Sequence, residues 1–256
     1  MKKVFFTITA ILLLCCGETR AQQVSIGLRG GMSIPNLTAG GSHQNPLNTG
    51  FSSRIGADGA VYADFEVTPV FSIRPMIQYS SQGGKKNGLQ AFPTPAQFAP
   101  LFPGQAPLYL YANFKNESRL DYLLLPVLAN FGWNLGAQSP LRFYVNAGPF
   151  AGLLLSGKQI TSGTSAVYLD EKGAMPLDQV PPQSFDGKKD IKDQLHKFNA
   201  GAEANLGFSY RTGTSGNIFI EGGFNYGFVN IQKGTANGKN NAGAGTLAVG
   251  YSWGLK

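Results

Sequence analysis

Apolar and polar residues alternate one by one over long stretches of this chain, most clearly across residues 141–156. Leu141, Phe143, Val145, Ala147, Pro149, Ala151, Leu153 and Leu155 share one face. Arg142, Tyr144, Asn146, Gly148, Gly152 and Ser156 share the other, with Phe150 and Leu154 as apolar exceptions on it. A period of two residues is that of a β-strand. The run exceeds the roughly 5 or 6 residues usual in soluble strands and covers the roughly 9–11 tilted residues that carry a strand across a bilayer.

Seven further segments carry the same period. Residues 24–33 set Val24, Ile26, Leu28 and Met32 against Ser25, Gly27, Arg29 and Ser33. Residues 53–67 set Ile55, Ala57, Val61, Ala63 and Phe65 against Arg54, Asp58, Tyr62, Asp64 and Glu66, and residues 71–82 set Phe71, Ile73, Ile77 and Tyr79 against Ser72, Arg74, Gln78 and Ser80. In 118–133, placing Leu123, Leu125, Val127, Phe131 and Trp133 outward leaves Tyr122, Leu124, Pro126 and Leu128 inward, so both faces are apolar. Residues 197–210 and 217–230 alternate again, and a last strand carries Leu247, Val249, Tyr251, Trp253 and Leu255 on one face. Pro75 and Pro149 remove ladder donors inside strands, which calls for local bulges.

The connections between these eight strands run long, short, long, short, long, short, long. An even strand count with short turns at one end and long loops at the other is the layout of an outer-membrane barrel. The expected fold is therefore all-β: an eight-stranded antiparallel up-and-down transmembrane β-barrel with short periplasmic turns and long extracellular loops, and with both termini in the periplasm of a Gram-negative-type cell. The aromatics agree with this layout. Phe65, Phe71, Trp133, Phe143, Phe208, Tyr210, Tyr251 and Trp253 fall near the short-turn ends, and Tyr79, Phe198, Tyr226 and Phe228 near the opposite ends, as two interfacial belts require.

The start of the chain reads as a cleaved secretory signal over residues 1–21: Lys2 and Lys3, an apolar run to Leu14, and Thr19-Arg20-Ala21 ahead of Gln22. Residues 22–256 then form the barrel domain. Cleavage there removes Cys15 and Cys16 and leaves no thiol, which excludes disulfides, iron–sulfur clusters and thiolate zinc. The charged fraction of 14% with 34 glycines suits strands and turns, and the net charge of +7 is spread out without a basic groove, so no nucleic-acid partner is expected.

Tyr122-Leu-Leu-Leu-Pro126, Asn146-Ala-Gly-Pro149 followed by Gly152, Asn225-Tyr-Gly227, the terminal Gly250-Tyr-Ser-Trp253 and the opening Gly27-Leu-Arg-Gly-Gly-Met-Ser33 resemble the PorT-like family of small outer-membrane β-barrel proteins. The resemblance covers nearly the whole mature chain. It implies the barrel fold and the outer membrane, whereas a role in secretion does not travel with a fold. The chain departs from the family at Leu124, where relatives often carry an inward acid, and at Lys256, where an aromatic terminus is usual.

The inward face offers Arg29, Arg54, Arg74 and Arg142 with Asp58, Asp64, Glu66, Glu203 and Glu221. Eight strands enclose a space that side chains can fill, so these charges are expected to pair into a plug, with Asp64 opposite Arg74. The alternative is a narrow channel or carrier for small solutes. A membrane-embedded lipid-modifying enzyme is a third reading. Its only candidates are His43 and His196, neither of which sits in a nucleophile motif. No cofactor and no metal is expected, because paired-histidine spacing is absent.

Two loop features complete the expectations. The proline-rich insertion 87–114 carries Phe92, Phe98, Leu101, Phe102, Tyr109 and Tyr111, a surface suited to a protein or glycan partner, with a cap folded over the rim as the alternative and extension of the fourth strand through Tyr109 and Tyr111 as the plain structural reading. Lys85, Lys86, Lys115 and Arg119 flank it at the outer rim, where they could meet lipopolysaccharide phosphates as well as outer-membrane lipid. Part of the second insertion, 157–196, is compatible with helix. The function expected from all this is non-enzymatic: a plugged outer-membrane barrel that supports surface loops for interaction or envelope organisation.

Overall fold

The computed structural model describes residues 23–40, 45–47, 49–213, 216–234 and 238–255. The signal-peptide segment, both cysteines and His43 lie outside the described residues. Eight long strands are present among the described residues: β1 (Val24–Gly40), β2 (Gly56–Thr68), β3 (Phe71–Pro93), β4 (Tyr109–Asn134), β5 (Leu141–Ser162), β6 (Phe198–Thr212), β7 (Gly216–Gly227) and β8 (Lys239–Leu255). Each pairs antiparallel with its neighbours in sequence, and β8 pairs back onto β1 from Val24–Leu255 to Gly40–Lys239. The sheet is a closed barrel without a free edge between its first and last strands, which removes the unpaired backbone groups that an open sheet would present.

Burial follows the two-residue period throughout. Ile77, Phe224, Phe198 and Val249 point out of the barrel and are 54–60% exposed, while their strand neighbours Gln78, Asn225, Asn199 and Ala248 are buried inside it. The outward apolar side chains continue around the ring and include Leu28, Val61, Leu125, Leu153, Leu206 and Ile220. A belt of this kind is far larger than the few hundred Å² of contiguous apolar surface that a water-soluble protein tolerates. Ring contacts tie the short-turn belt together across strands: Phe71 with Phe131 at 4.9 Å, Trp133 with Phe143 at 6.2 Å and Phe143 with Phe208 at 5.2 Å.

The expected bulges at the two prolines are not formed. Register is unchanged on both sides of Pro75 and of Pro149; the β2–β3 ladder skips Arg74 and Pro75, the β3–β4 ladder skips Met76 and Ile77, and the β4–β5 ladder skips Gly148 and Pro149. A proline lacks a single donor, and a break in one ladder accommodates that loss without inserting a residue. The register shifts lie elsewhere, at Val67 beside the β2–β3 turn and at Leu155 opposite Asp121 and Tyr122.

The strands differ in reach. Most of the insertion expected as loop after residue 83 is strand: β3 and β4 stay paired out to Pro93 and Tyr109, and β5 follows β4 out to Ser162 opposite Lys115. At about 3.3 Å per residue these three strands rise well above the rest of the ring. A 3-10 turn, Ala96–Leu101, closes the β3–β4 excursion. The second insertion adds Val167–Tyr168 along β4 and Gly187–Asp190 along β5, and its helical part is one short 3-10 turn, Lys192–Gln194.

Candidate functional site

The lumen holds a buried ionic network near mid-height. β1 supplies Arg29, which is bonded to Glu221 of β7, lies 3.1 Å from Glu203 of β6 and lies 3.5 Å from Asp58 of β2. β3 supplies Arg74, whose Nε donates to Asp64 at 3.0 Å and whose Nη1 donates to Glu221 at 3.3 Å. Asp64 and Arg74 face each other where the β2–β3 ladder is broken, so their side chains bridge the backbone gap. The Arg74 guanidinium also stacks on Tyr62 at 4.4 Å and Tyr144 at 5.3 Å. Glycine makes room for these rings: a Cβ at Gly27 or Gly207 would overlap the Tyr62 or Tyr144 side chain.

Amides complete the network. Gln78 donates to Asp58 at 2.9 Å, Asn146 to Glu221 at 3.1 Å and Asn205 to Glu203 at 3.0 Å. Two arginines face four carboxylates, so the network is formally over-supplied with negative charge. In a low-dielectric interior such a set is held together by every arginine contact it has.

The other expected lumen charges separate from this centre. Arg142 and Glu66 line the mouth at the short-turn end, where Arg142 donates to the Pro69 carbonyl at 3.1 Å. Arg54 does not belong to the lumen. It binds Glu117 at 2.9 Å and Ser81 at 3.2 Å on the outer side of the wall, together with Tyr79, Asp121 and Arg119. The physical reason is that Arg54 precedes the first residue of β2, so the alternation of that strand does not govern where its side chain points.

A second closure, apolar in character, lies above the ionic one. Leu120, Tyr122 and Leu124 of β4 and Phe150 and Leu154 of β5 point inward and pack with Leu37, Ala242, Leu195 and Ile231. Leu195 and Ile231 come from the β5–β6 and β7–β8 loops, which are joined by backbone bonds from His196 to Ile231 at 2.9 Å and from Lys233 to Gln194 at 3.0 Å. The inward apolar face of β4 therefore has a function in packing: it is the lining of a stopper whose lid is made by loops.

The aromatic insertion also packs. Phe98, Leu110, Val167 and Val180 form a buried cluster with Phe92, Leu101, Phe102 and Leu177 against it, and Phe185 stacks on Phe114 at 4.4 Å. Of the six residues expected to present an interaction surface, Phe92, Phe98, Leu101 and Phe102 face this small core, while Tyr109 and Tyr111 are half-buried on β4. Both insertions contribute, so they form one raised subdomain on the β3–β5 wall.

The four rim cations also divide. Lys115 and Arg119 are exposed, Arg119 pairing with Glu117 at 2.9 Å, and Lys85 is half-buried opposite Glu117 on the neighbouring strand. Lys86 is buried, donating to the Pro46 and Leu47 carbonyls at 3.2 and 2.9 Å and lying over the Phe51 ring. Burial lowers its amine to about 8. A folded-state value below the unfolded one means that the buried amine opposes this fold while charged, and that stability rises with pH between about 8 and 10.5. Acylation of Lys86 by an amine-selective reagent, followed by peptide mass spectrometry, is expected to rise as pH passes about 8.

Among the described residues no cluster of three or more His, Cys, Asp or Glu side chains could hold a metal, and His196 is exposed on the loop lid.

A closed ring of amphipathic strands with an apolar exterior and a polar, charge-paired interior defines a bacterial outer-membrane barrel. Residues 20–233 match the outer membrane protein beta-barrel domain family, and the chain belongs to it. Among solved structures, the chain is similar to Neisserial surface protein A (13% identity, 91% of this chain and 97% of that one, TM-score 0.41). It is also similar to the attachment invasion locus protein Ail of Yersinia pestis (9%, 91% and 99%, 0.35) and to OprG of Pseudomonas aeruginosa (9%, 91% and 97%, 0.39). No curated protein matches the sequence.

Proposed function

We propose that this protein is a non-enzymatic, closed outer-membrane barrel whose task is to hold the raised loop subdomain at the cell surface, with short turns and both termini in the periplasm. The observation that carries this reading is the double closure of the lumen. The ionic network around Arg29 and the apolar stopper beneath Leu195 and Ile231 lie one above the other, with the packed subdomain of Phe98 and Val180 on the same side as the stopper. The PorT-like resemblance fits this architecture. A protein or a glycan meeting the outside of the subdomain is the expected partner. Planar-bilayer recording tests the closure: the purified protein is expected to show no stable conductance, and steady ion-carrying openings would favour the channel alternative.

The outer rim supports a lipid contact. Arg119 lies directly opposite Lys158 across the β4–β5 ladder, which gathers positive charge beside the Arg119–Glu117 pair. Lys115, Arg119 and Lys85 share this outer face, just above Leu123 and Leu153, and are the proposed contacts for lipopolysaccharide phosphates; Lys86 is turned away into its own pocket. Charge reversal at Lys115 and Arg119 together is expected to lower the lipopolysaccharide that co-purifies with the barrel, and unchanged retention would remove this contact from the reading.

A further inference from the structure

At the short-turn end the lumen is not filled. Inside the ring of Glu66, Arg142 and Arg211 at that mouth the inward side chains are small, Ser25, Ser72, Ser209 and Ser252, and behind them Tyr62, Tyr144 and Phe219 close the floor. A cavity of about 610 Å³ remains, open at the mouth and blind at the far end, within the range that small-molecule pockets occupy. Arg74, held between the two tyrosine rings, seals its base to the ionic network.

Tyr144 and Asn130, both more than nine-tenths buried, form part of the cavity wall. At the rim, Arg142 and Arg211 bring positive charge, and the Glu66 carboxylate has no ion-pair partner among the described residues. A neutral saccharide would leave these separated charges unused, whereas a solute carrying both signs matches them.

We propose that this cup binds a small zwitterionic solute of amino-acid to dipeptide size. Arg142 and Arg211 face its carboxylate and Glu66 faces its ammonium. The site goes beyond the surface-scaffold reading and does not depend on it, because the cup is blind and the barrel can bind such a solute without conducting.

The full mature barrel in detergent can be titrated calorimetrically with three probes: glycylglycine, the uncharged N-acetylglycinamide, and maltose. Glycylglycine is expected to bind saturably and more tightly than either of the others. Arg142→Met and Glu66→Gln are each expected to weaken it by about tenfold or more, since each removes one charge-assisted contact. Both residues sit at the open mouth, so heat-modifiable mobility should be retained. Arg211→Met, at the same mouth, should also weaken binding and provides a second measure if either of the other variants fails to fold. Absence of saturable glycylglycine binding, equal affinity in wild type and the variants, or tighter binding of maltose would each overturn the assignment. Because closure is read by conductance and the cup by titration, either can fail without the other.

Discussion

Arg29→Met is expected to destabilise the barrel by about 3–5 kcal/mol, the range for breaking a buried ion pair. Arg29 is the common partner of Asp58, Glu203 and Glu221, so its loss leaves three buried carboxylates facing one another. The excess of acid makes the network asymmetric. Glu203→Gln removes one surplus negative charge and keeps an amide within reach of Asn205 and Arg29, so its expected cost is within about 1 kcal/mol, the scale of a single neutral hydrogen bond. Refolding midpoints in urea, followed by heat-modifiable mobility, measure both. Equal costs for the two variants would show that the network is not limited by its arginines.

Replacing Phe98, Leu101 and Phe102 together with serine is expected to dismantle the raised subdomain while leaving the barrel folded. Phe98 is buried, and the other two pack on the cluster it forms with Leu110, Val167 and Val180. Removing one large core side chain typically costs about 3–5 kcal/mol, and a cluster this small has little reserve. Limited proteolysis should then cut within 94–108 and 169–186 at protease levels that spare the wild-type protein. The membrane-spanning parts of β3, β4 and β5 should stay protected, because their ladders do not depend on this cluster. Resistance of both segments to the protease would mean that the subdomain is held by its strands alone.

The barrel was legible because a membrane-spanning strand must alternate and a barrel must close: the faces of β1, β5 and β8 follow from every second residue. The Asp64–Arg74 pairing was legible for the same reason, and the bulge at Val67 beside the β2–β3 turn leaves it in place. The apolar stopper left a trace that alternation alone could not interpret. Phe150, Leu154, Leu124 and Tyr122 stood out as apolar residues on the inward face, but the side chains that explain them, Leu195 and Ile231, arrive from distant loops. Periodicity carries no information about such contacts. The same limit applies to Arg54, whose partner Glu117 lies on another strand, and to Phe98, whose neighbours Val167 and Val180 come from the second insertion. The cup was harder still, since inward side chains on separate strands say nothing about the space between them until the ring is closed.

The seam between β1 and β8 joins the two ends of the chain, so among all the pairings in the sheet it closes the longest loop and loses the most chain entropy. The ladders from β3 to β5 and from β6 to β7 join neighbours in sequence and can form locally. The seam nevertheless runs the full length of β1, further than the β1–β2 ladder, which stops at Ser33 and Gly56. An extended seam spreads that entropic penalty over many hydrogen bonds. A chain without its last strand would keep β1 paired only to β2, from Val24 to Ser33, and would lose the ladder along residues 34–40.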